Sequence, residues 1–76
     1  MKVITQAIFE GAPDWVLSAA VDSDTDTYLY SVPKSKLKAS GLWWAYKHNP
    51  DATCDFIGQY DATDWQNSAI DKEVAR

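Results

Sequence analysis

Two apolar segments separated by an acidic turn constrain the fold of this chain more than any other feature of its sequence. Apolar side chains occupy alternate positions over residues 15–21, and Tyr28, Tyr30 and Val32 do the same in the second segment. Alternate residues of a strand share one face. Residues 22–26 between the segments are rich in Asp and Ser, whose side chains bond to the local backbone in turns. The pattern predicts a β-hairpin.

The short length of the chain limits how it can be stabilised. It has 76 residues and one Cys, so no disulfide can form within it. A folded chain of this size buries only about 60% of the surface that its unfolded form exposes. Its composition, 46% apolar and 13% aromatic, is nevertheless too apolar for a disordered acidic tail. We expect one domain over residues 1–76, ordered over 2–70, with a C-terminal tail at 71–76.

Three further segments predict strands. Residues 3–9 are rich in β-branched and aromatic side chains, with apolar residues on both faces. Residues 42–46 are also apolar on both faces, which is typical of a central strand or of one that a partner covers. Residues 54–60 alternate, so that Cys54 and Phe56 share a face.

Two short helices complete the predicted fold. Pro33 and Gly41 bracket one of them, with Pro at its first position and Gly after its end. Thr63 and Gln66 have the spacing of a capping box, so a C-terminal helix should begin there, with Trp65 packed on the sheet. The expected fold class is mainly β, a single small antiparallel sheet of four to five strands with a short C-terminal helix. If the first segment is helical instead, the fold class is α+β.

The aromatic side chains are more numerous than so small a core requires. The chain contains four Trp, four Tyr and two Phe. Exposed aromatic patches mark interfaces, so the excess predicts partner binding or self-association as a homodimer. The side chains expected inside are Trp15, Leu17, Tyr28 or Leu29, Trp44, Phe56 and Trp65. One of Trp43 and Tyr46 is expected on a binding face.

Charge and hydropathy bound the environment of the protein. Eleven acidic residues against seven basic ones give a net charge of -4, which disfavours binding to nucleic-acid phosphates. No apolar run approaches the roughly 18 to 20 residues that a membrane span needs, and no targeting segment is recognisable at the N-terminus. The lone Cys54 fits a reducing compartment. We therefore expect a cytoplasmic protein that does not contact a membrane.

The acidic turn resembles the start of a calcium-binding loop, because Asp22, Asp24 and Asp26 stand at alternate positions. Such a loop needs Gly at its sixth position and a bidentate Glu at its twelfth. This chain has Thr27 and Pro33 there. We therefore interpret the acidic turn as a solvated hairpin turn, whose carboxylates could meet a basic partner surface.

Catalytic and zinc chemistry have few candidate residues. His48 and Cys54 are the only imidazole and the only thiol, too few for a structural zinc site. A Cys–His nucleophilic pair also needs a third, orienting group and an oxyanion site, and the sequence suggests neither. We expect no enzymatic activity, no cofactor and no metal.

Three lysines precede an aromatic segment. Lys34, Lys36 and Lys38 alternate, and Trp43 and Tyr46 follow them. Stacking rings and ammonium groups in one pocket could hold a nucleotide-type anion. The simpler interpretation is that the lysines form a solvated sheet edge and that the aromatic residues belong to the core.

Four short pieces occur in a fixed order along the chain. They are Ala-Pro-Asp-Trp at residues 12–15, Ala-Val-Asp at 20–22 with the Tyr-rich 28–30, Trp-Trp at 43–44, and Asp-Trp-Gln-Asn-Ser at 64–68 followed by Ile70. This pattern resembles a family of small accessory proteins of tailed bacteriophages and prophages, over residues 12–70. Family turns usually carry Gly where this chain has Thr25 or Asp26, and usually Leu where it has Ala69. The family has no assigned enzymatic activity, so the resemblance implies a noncatalytic role.

The leading hypothesis is therefore a noncatalytic phage or prophage accessory protein. It would bind a host or rival-phage protein, such as a defence component. The alternative is an oligomeric protein that binds or sequesters a small, nucleotide-type ligand. The candidate binding face for either role comprises Trp43, Tyr46, Lys34, Lys36, Lys38, Asp22, Asp24 and Asp26.

Overall fold

The computed structural model describes residues 1–46 and 52–73, with Tyr46 described by its backbone. Within these ranges the chain forms a four-stranded antiparallel sheet and a separate two-stranded sheet. The strands are β1 Ser18–Val21, β2 Asp26–Tyr30, β3 Leu37–Ser40, β4 Trp43–Tyr46, β5 Cys54–Gln59 and β6 Ile70–Asp71. The described helical elements are 3-10 turns at Gln6–Phe9, Lys34–Lys36 and Trp65–Asn67. None of these described elements is a helix that could cross a membrane.

The larger sheet is built around the predicted hairpin, which is confirmed. Its strand order is β5-β2-β1-β6, and β1 pairs with β2 so that Ser18 lies opposite Tyr30 and Val21 opposite Thr27. The connecting turn places Thr25 in the left-handed region at φ 76°. The mainly β fold class is confirmed as well.

The central strand β1 is buried on both faces. Its side chains are small, which lets a layer of chain pack closely on each side of the sheet. Ala20 belongs to one core cluster, whose other buried members are Tyr30, Val32, Leu37 and Ala69. Ala19 belongs to a second cluster, whose other buried members are Phe9, Val16 and Leu29. The sheet therefore lies between the N-terminal segment and the β3–β4 hairpin.

The prediction of a strand at residues 3–9 is wrong. The alternative prediction of a helix there, which would have made the fold α+β, is wrong as well. Thr5 instead caps a 3-10 turn, Gln6–Phe9, by accepting a hydrogen bond from the Ala7 N–H at 3.3 Å through Oγ1. Phe9 at the end of this turn is buried against β1. The apolar pattern of this segment reflects packing on the sheet, because the segment pairs with none of the described strands.

The helix predicted between Pro33 and Gly41 is also wrong. Only Lys34–Lys36 form a 3-10 turn, and Leu37, which is buried, begins β3. Gly41, at φ 61°, lies in the two-residue turn that joins β3 to β4. The strand predicted at residues 42–46 exists as β4, but it belongs to the small sheet and is not central.

The C-terminal capping box does not form. Asp61 accepts hydrogen bonds from the backbone N–H and hydroxyl of Thr63 at 2.8 and 2.6 Å, and the N-cap position of the following turn is held by Asp64, without a side-chain cap bond. The chain makes only a 3-10 turn at Trp65–Asn67 before it enters β6. Local side-chain bonding of this kind competes with helix formation. The predicted C-terminal helix is therefore wrong.

The last described residues are hydrogen-bonded to the N-terminal part of the chain. Asp71, where the predicted tail begins, belongs to β6. The Lys72 N–H donates to the Leu17 carbonyl at 2.7 Å, and the Glu73 N–H donates to Gln6 Oε1 at 3.0 Å. Hydrogen bonds to the rest of the chain thus continue through Glu73.

Several of the side chains predicted inside are not there. Trp15, Leu17 and Phe56 are exposed by 39%, 43% and 53%. The strand begins only at Ser18, so the first two precede it, and Phe56 lies on the edge strand β5. Trp44 and Trp65 are half-buried, and Leu29 is buried as predicted. Apart from Phe9 and Tyr30, the core consists of small and aliphatic residues.

Candidate functional site

The β3–β4 hairpin is fastened to the larger sheet at the acidic turn. Asp22 Oδ1 accepts a hydrogen bond from the Trp44 N–H at 2.9 Å, and the Ser23 N–H donates to the Leu42 carbonyl at 3.0 Å. The Trp44 indole Nε1 donates to the Trp65 carbonyl at 3.0 Å. The first two bonds hold one end of the hairpin over the β1–β2 turn, and the third ties it to the Trp65–Asn67 turn. An opening remains beside β2.

A pocket of about 240 Å³ occupies that opening. We call it the aromatic pocket, and its described lining residues are Asp22, Tyr28, Tyr30, Trp43, Trp44, Ala45 and Cys54. Tyr28 and Tyr30 project from the same face of β2, with ring centroids 6.4 Å apart. Tyr30 is buried and Tyr28 half-buried, so the pocket has an enclosed and an open side.

The rim of the aromatic pocket continues into an exposed apolar surface. The Tyr28 ring meets the Phe56 ring edge-on, at a centroid separation of 5.6 Å. Phe56, exposed by 53%, extends this surface along β5, and Trp43, exposed by 56%, extends it onto the hairpin. We call Tyr28, Trp43 and Phe56 together the aromatic face.

The electrostatics of the aromatic pocket favour positive charge. Asp22 is only 9% exposed. This burial raises the pKa of its carboxyl, and Asp24 and Asp26 raise it further, while the bond from the Trp44 N–H lowers it. Burial and the negative charges of Asp26 and Asp22 likewise raise the pKa of Tyr28. Among the described residues that line the pocket, none is basic.

The three aspartates of the acidic turn have different roles. Asp22 is buried and holds the hairpin, so the expected solvated turn is wrong at this position. Asp24 Oδ1 accepts from the Asp26 N–H at 3.1 Å, and Asp26 Oδ1 accepts from Gln59 Nε2 at 3.3 Å. Over the described parts of the chain, no group of acidic, His or Cys side chains is arranged to hold a metal ion.

The predicted lysine and aromatic group is only partly brought together. Lys34, Lys36 and Lys38 are exposed, and none of them lines the aromatic pocket. Lys34 lines a separate cleft of about 380 Å³ that includes Trp44 and Asp71.

The β3–β4 pairing places one of these lysines near an exposed ring. Lys38 lies opposite Ala45, and Ser40 lies opposite Trp43. Lys38 and Trp43 therefore share one face of the hairpin. The side chain of Tyr46 and all of His48 lie outside the described residues, so the predictions that involve them have no structural counterpart here.

A larger cleft of about 460 Å³ lies between the N-terminal segment and the Trp65–Asn67 turn. Its polar wall includes Asp61 and Asp64. Hydrogen bonds from Thr63 lower the pKa of Asp61, and the chain's own N-terminal ammonium lowers it further. Asp64 accepts a hydrogen bond from Asn67 Nδ2 at 2.9 Å. These carboxylates are thus engaged by groups of the same chain.

Two members of the site, Tyr28 and Phe56, were not among the predicted binding residues. Their alternation was visible in the sequence, since Tyr28 and Tyr30 share a face and so do Cys54 and Phe56. The missing information was the pairing of β2 with β5, which sets Tyr28 opposite Phe56 and Tyr30 opposite Cys54.

The motif near the C-terminus has a structural role at the base of the hairpin. Ser68 Oγ accepts from the Val21 N–H at 2.9 Å and donates to the Trp65 carbonyl at 2.7 Å. The same carbonyl accepts a hydrogen bond from the Trp44 indole N–H.

The sequence matches no protein-family model and no curated protein, and the fold matches no solved structure. The resemblance to phage accessory proteins rests on its short motifs.

Proposed function

We propose that this chain is a noncatalytic binding protein that recognises a partner protein through the aromatic face. The observation that carries the proposal is the exposure of Trp43, which lines the aromatic pocket with Tyr28, and of Phe56, whose ring meets Tyr28 edge-on. Aromatic residues are enriched among the side chains that dominate binding energy at interfaces. In a domain whose core consists largely of small and aliphatic residues, these rings are left available for a partner.

The charge distribution supports a partner with a basic surface. Residues 3–33 and 52–71 contain no Lys or Arg, and together they supply the whole four-stranded sheet. Asp24 and Asp26, whose charges act on Tyr28, therefore lie near the aromatic face without a neighbouring cation from the sheet itself. Complementary charge speeds association and selects among partners. The same charges disfavour nucleic acid as the partner.

The resemblance to phage and prophage accessory proteins supplies the biological setting of the proposal. In that setting the protein acts in the cytoplasm of a bacterial host, and its partner is a host or rival-phage protein such as a defence component. Its action is occupancy of a surface, without chemistry on the partner. Asp22, the most buried carboxylate beside the rings, already serves as an anchor for the hairpin.

The experiment that tests this proposal is affinity capture from bacterial lysate with three forms of the folded protein. The forms are the wild type, Trp43→Ala and Val3→Ala, the last at an exposed apolar residue that lines a different cleft. We expect one captured protein to be lost with Trp43→Ala and retained with Val3→Ala. Equal capture by all three forms, or no capture above background, contradicts the proposal. Circular dichroism of each form verifies that it is folded.

The alternative of a nucleotide-type ligand has less support. Such an anion would be expected to bind where lysines and aromatic rings meet. The aromatic pocket is lined by the acidic Asp22, and no described lysine lines it. The cleft that contains Lys34 and Trp44 also contains the carboxylate of Asp71. A thermal-shift screen with nucleotides distinguishes the two functions, because a ligand that binds only the native state raises its melting temperature.

A further inference from the structure

We propose that the aromatic pocket binds an alkylammonium group, that is, a quaternary or tertiary amine, either free or carried on a methylated lysine side chain. The inference rests on the proposed binding role of the aromatic face and names the chemistry that the face would recognise. Four aromatic residues and one aspartate line the pocket, and this combination is suited to a cation with an apolar surface.

Aromatic residues make up most of the pocket lining. Tyr28, Tyr30, Trp43 and Trp44 all line a space of about 240 Å³. A cation within about 6 Å of an aromatic centroid is attracted by the ring quadrupole, and Trp gives the strongest attraction. The pocket is smaller than typical drug-sized sites of about 300–1,000 Å³. It suits a compact head group better than a nucleotide or another planar ligand of that size.

Asp22 adds an acidic residue to the pocket lining. Asp22 is held at the pocket wall by the Trp44 N–H, and it is only 9% exposed. Asp24 and Asp26 add negative charge from the same turn and from β2, and Cys54 lines the pocket from β5. A bound cation would offset the cost of keeping the Asp22 carboxylate charged in partial burial. Among the described lining residues no cation does so.

Methylation decides which cations fit. A primary ammonium is compact and strongly hydrated, so it loses much of its hydration when it enters a pocket walled by rings. Methyl groups spread the charge over a larger apolar surface that can pack against the rings. The site therefore favours methylated amines over an unmodified lysine, and it disfavours anions.

The test compares choline with its neutral isostere, in which carbon replaces the nitrogen, by following Trp fluorescence and amide chemical shifts of the full chain. Choline should bind at least about tenfold more tightly than the isostere, since only choline has cation–π and carboxylate attraction. Equal affinity for the two probes, or no saturable binding of choline, overturns the proposal.

Variants locate the site and guard against misfolding. Tyr28→Leu and Asp22→Asn should each weaken choline binding at least about fivefold. Val3→Ala, at an exposed residue that belongs neither to the aromatic face nor to the pocket lining, is the control and should leave it within about twofold. If choline binding survives both pocket changes in folded protein, the site is wrongly assigned.

A second arm distinguishes the source of the ammonium group. The probes are a short peptide with a single trimethylated lysine and the same peptide unmodified. Tighter binding of the methylated peptide than of choline indicates a protein source, and the reverse indicates a free small molecule. Failure of every methylated probe, together with Trp43-dependent capture from lysate, overturns the pocket assignment and leaves the proposed function standing. Binding of a methylated probe without Trp43-dependent capture supports the pocket assignment and contradicts the proposed function.

Discussion

The two hairpins of this domain are held in place by different means. In the first, β1 is covered on both faces, and all four of its residues are fully buried. The second, β3–β4, rests on the sheet through Leu37 and Trp44 and is fastened by three hydrogen bonds at one end. The exposed Trp43 belongs to this second hairpin. The difference suggests a stable scaffold that carries a lightly attached binding element.

The largest effect should come from the scaffold. Leu29 on β2 is buried in the cluster that packs under the N-terminal segment. Leu29→Ala removes that side chain and leaves a cavity, so the free energy of unfolding should fall by about 2–5 kcal/mol. Urea denaturation followed by circular dichroism measures it. The matched change Phe56→Ala, at an exposed site, should cost less than about 1 kcal/mol. Equal losses for the two variants would contradict the assignment of the core.

The next effect concerns the junction of the two hairpins. Ser68 Oγ accepts the Val21 N–H of β1, which is buried, and donates to the carbonyl of Trp65. Ser68→Ala leaves that N–H without its partner, at a cost of about 1–3 kcal/mol in unfolding free energy. Ser68→Thr keeps the hydroxyl and should recover part of the loss. An alanine variant as stable as the wild type would show that this bond contributes little.

Trp65→Ala should be milder than a fully buried tryptophan would suggest. The Trp65 side chain is half-buried, and its contact with the hairpin is through the backbone carbonyl, which survives the substitution. We expect a loss of about 1–2 kcal/mol, below the roughly 3–5 kcal/mol of a buried Trp. Thermal unfolding of the variant measures it. Complete unfolding would mean that Trp65 anchors the fold after all.

The smallest effect concerns the charge of Asp22. Burial raises the pKa of this carboxyl above its ordinary value of 3.8. Its contribution to stability is therefore present below that value and is lost as the pH rises through the raised pKa. Asp22→Asn keeps an oxygen for the Trp44 N–H and removes the charge. Unfolding free energy at pH 7 should stay within about 1 kcal/mol of the wild type, in the stabilising direction.

Asp61 is the control of opposite sign for this pH dependence. Hydrogen bonds from Thr63 lower the pKa of its carboxyl, so its contribution is present above 3.8 and is lost as the pH falls through the lowered pKa. Asp61→Asn should therefore reduce stability at neutral pH, and its difference from the wild type should shrink in acid. A loss of stability at pH 7 for Asp22→Asn, with none for Asp61→Asn, would reverse both assignments. Denaturant titrations across the acidic range measure both variants.

The sequence could predict the parts of this structure that depend on residues close together in the chain. The β1–β2 hairpin was predictable because its alternation and its turn residues are neighbours in the chain. The conformation of residues 63–70 was not predictable, because Ser68 is hydrogen-bonded to Val21, which lies 47 positions away in the chain. The aromatic pocket was partly predictable: Trp43 and Asp22 were named, but the pairing of β2 with β5 that adds Tyr28 and Phe56 is non-local.

The contrast between scaffold and binding element is tested most directly by amide hydrogen exchange with and without choline. We expect the Trp44 and Ser23 amides, which fasten the β3–β4 hairpin, to exchange faster than the Val21 amide of β1. Saturating choline should slow exchange at Trp44 and leave the Val21 amide unchanged. Equal protection of the three amides, with no response to choline, would contradict both the light attachment of the hairpin and its role as the binding element.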